Sequence, residues 1–116
     1  MVFPKRGEVY YVNFEPTIGV EIKKTRPALI IQNDVGNMHS QATIVAAITS
    51  TGREVFPYEV FLKAGEGGLQ KNSIVLLNQI RTIDKKRLGK RIGILSSEAM
   101  EKIDNAIKIS LGLIKF

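Results

Sequence analysis

The sequence predicts a mainly β domain: a small, partly open antiparallel barrel followed by one C-terminal amphipathic helix. Three observations carry that prediction. Short runs rich in β-branched and aromatic residues recur between residues 7 and 84, punctuated by Gly, Pro, Asn and Asp. No βαβ alternation, internal repeat or low-complexity segment interrupts them, and strands at this spacing satisfy their edges best by curling into a barrel. The C-terminal stretch then changes period. Met100, Ile103, Ile107, Leu111 and Ile114 recur at steps of three and four, which lines one face of a helix.

Element by element, GEVYYVNF at 7–14 reads as a strand bounded by Gly7 and Pro16. EPTIGVEIKKT is a loop with Pro16 and Gly19 as breakers. PALIIQ is a strand in which Pro27 can occupy only the start or an edge, because proline has no N–H for the ladder. Asn33-Asp34-Val35-Gly36-Asn37 is turn chemistry. ATIVAAITS is a long apolar strand ending in hydroxyls, YEVFL alternates, and GEGG at 65–68 marks a turn. SIVLLNQIRTID reads as two strand-like runs around Asn78. Ser96 or Ser97 caps the final helix, whose first turn carries Glu98 at the positive end of the helix dipole.

Length and composition narrow the function classes. A chain of 116 residues fits one domain, 1–116, with an ordinary hydrophobic fraction of 44% and no run long enough to span a membrane. MVFPKRGEVYY lacks the apolar core of a signal peptide, so a cytoplasmic location is expected. With no cysteine and one histidine, His39, thiolate and multi-histidine metal sites are excluded. The net charge of +6 sits wholly in residues 1–95, where 14 cations face 8 anions. Such an excess attracts polyanions, although a solvated basic surface explains it equally well.

Catalytic constellations are mostly missing. No glycine-rich loop leads from a strand into a helix, no pair of carboxylates stands out, and His39 lies in a polar turn suited to the surface. What remains is cations, hydroxyls and amides at strand ends. Arg26 heads one strand, while Thr49, Ser50 and Thr51 end the next apolar run. If these strands pair as a hairpin, the start of one lies beside the end of the other, and a guanidinium meets a threonine hydroxyl on one rim. Read alone, Arg26 serves equally as an edge cation for Glu21, and Thr49 as a turn initiator.

Four ordered blocks go further: RGEVYYVNFEPTIGVE, the R-P pair of TRPALIIQND, TIVAAITS, and VLLNQIRTIDKKRLGKRIG. Over nearly its whole length the chain resembles the MazF/PemK family of bacterial toxin endoribonucleases (mRNA interferases of type II toxin-antitoxin systems). The resemblance implies an SH3-like barrel of the CcdB/PemK type acting as a homodimer. It implies cleavage of single-stranded RNA without metal or other cofactor, leaving 2′,3′-cyclic phosphate and 5′-hydroxyl ends. It also implies a cognate MazE-like antitoxin that covers the RNA groove. By position, the family's catalytic arginine falls on Arg26, its catalytic threonine on Thr49 and its loop acid on Glu21. Gln79 matches a position associated with RNA contact.

The remaining candidates follow from their chemistry. Lys23 and Lys24 stand at the groove rim, where they draw in phosphate, and Ser50 adds a hydroxyl beside Thr49. The amides of Asn33 and Gln79 suit reading of splayed bases, though Asn33 reads equally as a turn residue. Arg81 contacts RNA or pairs with Asp84, and Phe14 and Phe56 stack bases or fill the core. The chain departs from the family in its loop. There the family commonly has G-S-E-Q and small residues; G-V-E-I-K-K-T replaces a serine by Val20 and adds two lysines, so an RNA preference of its own is expected. Two other classes remain open: a non-catalytic nucleic-acid-binding barrel, and a CcdB-like gyrase poison of the same fold.

Overall fold

A computed structural model describes residues 3–21 and 24–115. Six strands are present: β1 (Glu8–Asn13), β2 (Thr25–Ile30), β3 (Ala42–Ser50), β4 (Glu59–Leu62), β5 (Ser73–Asp84) and β6 (Leu88–Ile94). Two helices join them, α1 (Asp34–His39) and α2 (Ser97–Ser110), with 3₁₀ turns at Glu66–Gly68 and Lys85–Arg87. All strand pairs are antiparallel, in the order β4-β5-β3-β2-β1-β6.

Alternation along the strands gives the curled sheet two buried faces. On the first, Val9, Leu29, Ala46 and Ile48 pack with Val75, Leu77 and the Ala99, Ile103 and Ala106 side of α2. On the second, Val12, Phe14, Ala28, Ile30, Val45, Ala47 and Ile83 form a smaller core. Complete burial of Ile103 contributes on the order of 2–3 kcal/mol and fixes α2 on the sheet. The helix is capped as its sequence implies: Ser96 Oγ accepts from Ala99 N at 3.1 Å, while its own hydroxyl donates to Glu66 Oε1 at 3.0 Å.

The curl has a local cause in β5. Ala46 pairs with Ile80 but the next residue, Ala47, pairs with Leu76. Leu77, Asn78 and Gln79 therefore have no partner on β3, a register slip of the kind that bends a strand. A second tight place lies where the Glu66–Gly68 turn crosses β6. A Cβ on Gly93 would stand 2.4 Å from the Gly67 carbonyl oxygen, so only glycine fits there.

Four elements differ from the sequence reading. Residues 34–39 form a short helix rather than a turn, because Asn33 accepts Gly36 N at 2.8 Å and caps it. The stretch 73–84 is one bent strand rather than two runs, and 88–94 forms a strand that its charged, glycine-containing pattern concealed. The helix ends at Ser110, leaving Leu111 and Ile114 exposed, so the buried stripe is Ala99, Ile103 and Ala106, with Met100 and Ile107 at its border.

Candidate active site

The pairing of β2 with β3 runs Ala28↔Ala47, Leu29↔Ala46 and Ile30↔Val45. Continued by two residues, the same register sets Arg26 opposite Thr49. Opposed residues in an antiparallel pair present their side chains on the same face. Val12 flanks Arg26 on β1, and Ile74 flanks Thr49 on β5. The arginine and threonine thus share one row across the sheet, next to the second apolar core.

Ser50 follows Thr49 and alternates to the other face. There it joins Arg26 in lining a cavity of about 490 Å³ with Tyr11, Pro27, Gln70, Lys71, Lys90 and Arg91. Arg26 therefore stands at the border, in register with Thr49 and also lining this cationic cleft. Sequence reasoning missed Lys71, Lys90 and Arg91. Their charge was visible, but only the pairing of β1 with both β2 and β6 brings Lys90 and Arg91 near Arg26.

The loop between β1 and β2 is held from outside. Arg81 donates to the Phe14 carbonyl at 2.8 Å and lays its guanidinium over the Phe14 ring at 6.0 Å. Arg87 donates to the carbonyls of Asn13 and Glu15, and Gln79 Nε2 reaches the Val20 carbonyl at 3.4 Å. Glu15 accepts from Lys24 N at 2.8 Å, and Phe14 N donates to the Lys24 carbonyl at 3.1 Å. These bonds hold Lys24 at φ 67°, a left-handed backbone that costs a non-glycine residue about 1 kcal/mol.

The other predicted residues fall as follows. Glu21 is exposed and its Oε1 accepts from Ile18 N at 2.6 Å, which closes the tip of the loop. Lys23 lies outside the described residues. Asn33 uses its side-chain oxygen to cap α1. Arg81 does not pair with Asp84: it holds Phe14, while Asp84 accepts from Lys86 N. Phe14 is core, whereas Phe56 is exposed and stacks on Tyr58 with ring centroids 5.7 Å apart. His39 is exposed at the end of α1. Among the described residues, no three His, Asp or Glu side chains lie close enough to share a metal ion. No helix of the described residues is long and apolar enough to cross a membrane.

Comparison with known proteins gives consistent matches. The family described as PemK-like, MazF-like toxin of type II toxin-antitoxin system matches residues 5–111. Endoribonuclease EndoA of Bacillus subtilis is 47% identical over 113 residues, covering 97% of each chain. A mycobacterial endoribonuclease solved with its cognate antitoxin superposes with a TM-score of 0.81 at 27% identity, over 97% of this chain and 99% of that one. MazF from Deinococcus radiodurans shares the fold, with a TM-score of 0.83 at 24% identity over 97% and 99% of the two chains.

Proposed function

The chain belongs to the family of PemK-like, MazF-like toxins of type II toxin-antitoxin systems, and from that premise we propose how it acts as an endoribonuclease. It cleaves single-stranded RNA at short sequence motifs, without a metal ion, through attack of a 2′-hydroxyl on the adjacent phosphate. The products are a 2′,3′-cyclic phosphate and a 5′-hydroxyl. One observation supports the site: the β2–β3 register, which, continued two residues past Ala28↔Ala47, would put Arg26 opposite Thr49.

The reaction has three requirements: loss of the 2′-hydroxyl proton, stabilisation of a dianionic phosphorane, and a proton for the leaving 5′-oxygen. Arg26 serves the second. Its planar fork contacts two phosphoryl oxygens, and fixed charge facing developing charge contributes about 3–4 kcal/mol. Thr49 donates a hydrogen bond to the same phosphate and holds the in-line geometry. An arginine is a reluctant proton carrier at neutral pH, so Glu21 is assigned the 2′-hydroxyl proton through the oxygen not held by Ile18. One of the loop lysines, Lys23 or Lys24, is assigned the leaving-group proton. The amide of Gln79 serves RNA contact next to the loop.

Transcript cleavage by the unrestrained toxin halts translation and growth. The partner is a cognate antitoxin with an acidic segment complementary to the cationic rim, and the working form is a cytoplasmic homodimer. The domain spans the whole sequence given, 1–116.

The test is incubation of purified protein with a mixed-sequence RNA in EDTA, with end-group analysis of the fragments. Cleavage with cyclic-phosphate ends, lost in Arg26→Ala and reduced in Thr49→Ala, is expected. Intact RNA with a gel shift would leave only a binding protein. Wild-type turnover by Arg26→Lys would remove the bidentate role.

A further inference from the structure

The mechanism above uses one side of the β2–β3 rim. Beyond Arg26 on the rim lies the cleft that Arg26 lines together with Tyr11, Ser50, Lys71, Lys90 and Arg91, and to those five the reaction assigns nothing. We propose that this cleft is a second phosphate-binding subsite, which takes nucleotides flanking the scissile bond after the RNA strand crosses the rim at Arg26. The proposal rests on the endoribonuclease reading and names where the remainder of the substrate lies.

Three observations carry it. First, the cleft is continuous with the reaction site, because Arg26 borders it while sharing a row with Thr49. Second, its charge is of one sign. Lys71 and Lys90 are exposed, and among the described residues no carboxylate lines the cavity. Arg91 gives its Nε to the buried Glu8 at 2.5 Å, which fixes the side chain. Its two terminal nitrogens have no partner among the described residues, so a preoriented fork faces solvent. Third, Tyr11 is 43% exposed beside these cations and offers an aromatic face to a base. A cationic groove with an aromatic platform is the arrangement that holds single strands without reading their sequence. About 490 Å³ is room for a nucleotide or two and far less than a folded partner needs.

The test compares Lys71→Ala/Lys90→Ala with Lys102→Ala/Lys108→Ala, which removes equal charge from the exposed side of α2. The binding probe is a fluorescein-labelled, mixed-sequence 2′-O-methyl RNA, which lacks the attacking hydroxyl, read by anisotropy across a potassium chloride series. The cleft variant is expected to bind about tenfold more weakly, with a log–log salt slope shallower by about 1.4, the value for two lost phosphate contacts on a single strand. The α2 variant should match wild type. In cleavage assays, the cleft variant should raise KM for a long all-ribose RNA and leave kcat unchanged. It should behave as wild type on a fragment trimmed to the cleaved motif.

Equal losses in the two variants, or an equal loss on long and trimmed substrates, would overturn the subsite. So would loss of poly-glutamate binding with RNA affinity intact, which would assign the cleft to an acidic peptide. If wild type binds the probe through the cleft but leaves the ribose RNA whole, the nuclease reading falls and the subsite stands.

Discussion

Two loops leave the sheet at the Arg26–Thr49 end, and they are held in opposite ways. The β3–β4 loop is fastened within itself. Arg53 grips Glu59 with two bonds of 2.8 and 2.7 Å, Phe56 N donates to the same carboxylate, and Arg53 lies over the Phe56 ring, which stacks on Tyr58. The β1–β2 loop is fastened from distant sequence, at its base by Arg81 and Arg87 and at its tip by Gln79 on the Val20 carbonyl, while the tip residues Ile18 and Val20 are 82% and 94% exposed. A loop closed on itself keeps its shape whatever surrounds it. A loop held through its backbone carbonyls by distant residues has its path fixed from outside and leaves its exposed tip side chains open to change, which suits a segment that sets substrate preference.

The comparison can be broken at graded points. Arg26→Ala, where the externally held loop meets the rim, should have the largest effect. A fall of about 10²–10³-fold in single-turnover RNA cleavage is expected, with an unchanged circular dichroism spectrum. Next is Arg87→Ala, which frees the Asn13 and Glu15 carbonyls. If external anchoring positions the loop, cleavage should drop about tenfold with the melting temperature nearly constant. A parallel loss of both would make Arg87 merely structural.

Arg53→Ala should do the reverse, lowering the melting temperature while folded protein keeps its cleavage rate. Acid sharpens this contrast. The Arg53 hydrogen bonds, helped by the Phe56 N–H, hold the Glu59 carboxyl below the usual carboxylate range. A carboxyl depressed on folding stabilises the protein above its unfolded pKa, near ~4.3, and loses that contribution as pH falls through the lower folded value. Thermal melts between pH 7 and 3 should show stability falling at the acid end. Glu59→Gln should flatten that limb, leaving the part due to Asp34, which the Arg6 N–H lowers likewise. The smallest effect on stability belongs to Val20→Ser. An exposed tip should tolerate it within about 0.5 kcal/mol, while sequencing of the fragments detects a changed cleavage preference.

The legible part of this molecule is the part with local causes. β1, β2, β3 and β4 announce themselves by composition and flanking breakers, and the hairpin logic joining Arg26 to Thr49 needs only antiparallel neighbours. The slip in β5 was not legible, because nothing in LLNQI distinguishes a bend from a break. Nor was β6, whose LGKRIGI mixes charge and glycine and becomes a strand by pairing with β1. Of the site residues that escaped, Lys90 and Arg91 are brought in by that distant pairing, and Lys71 reaches the same cleft from just before β5. Asn33 and Arg81 were noticed for their chemistry, and the structure uses them to cap a helix and hold a loop.

The pairing of the first strand with the last, Glu8 with Ile94 and Val9 with Gly93, bears on the timing of synthesis. A ribosome releases Arg26 and Thr49 early, and their hairpin is local enough to close as it emerges. The arginines that hold the loop, Arg81 and Arg87, and the cleft cations Lys90 and Arg91 leave the tunnel in the last third of the chain. The edge of β1 waits for β6 until almost the whole protein has been made. A nuclease directed against messages that was complete at its halfway point would threaten the message still being read beside it. In this topology the assembled rim belongs to the released chain.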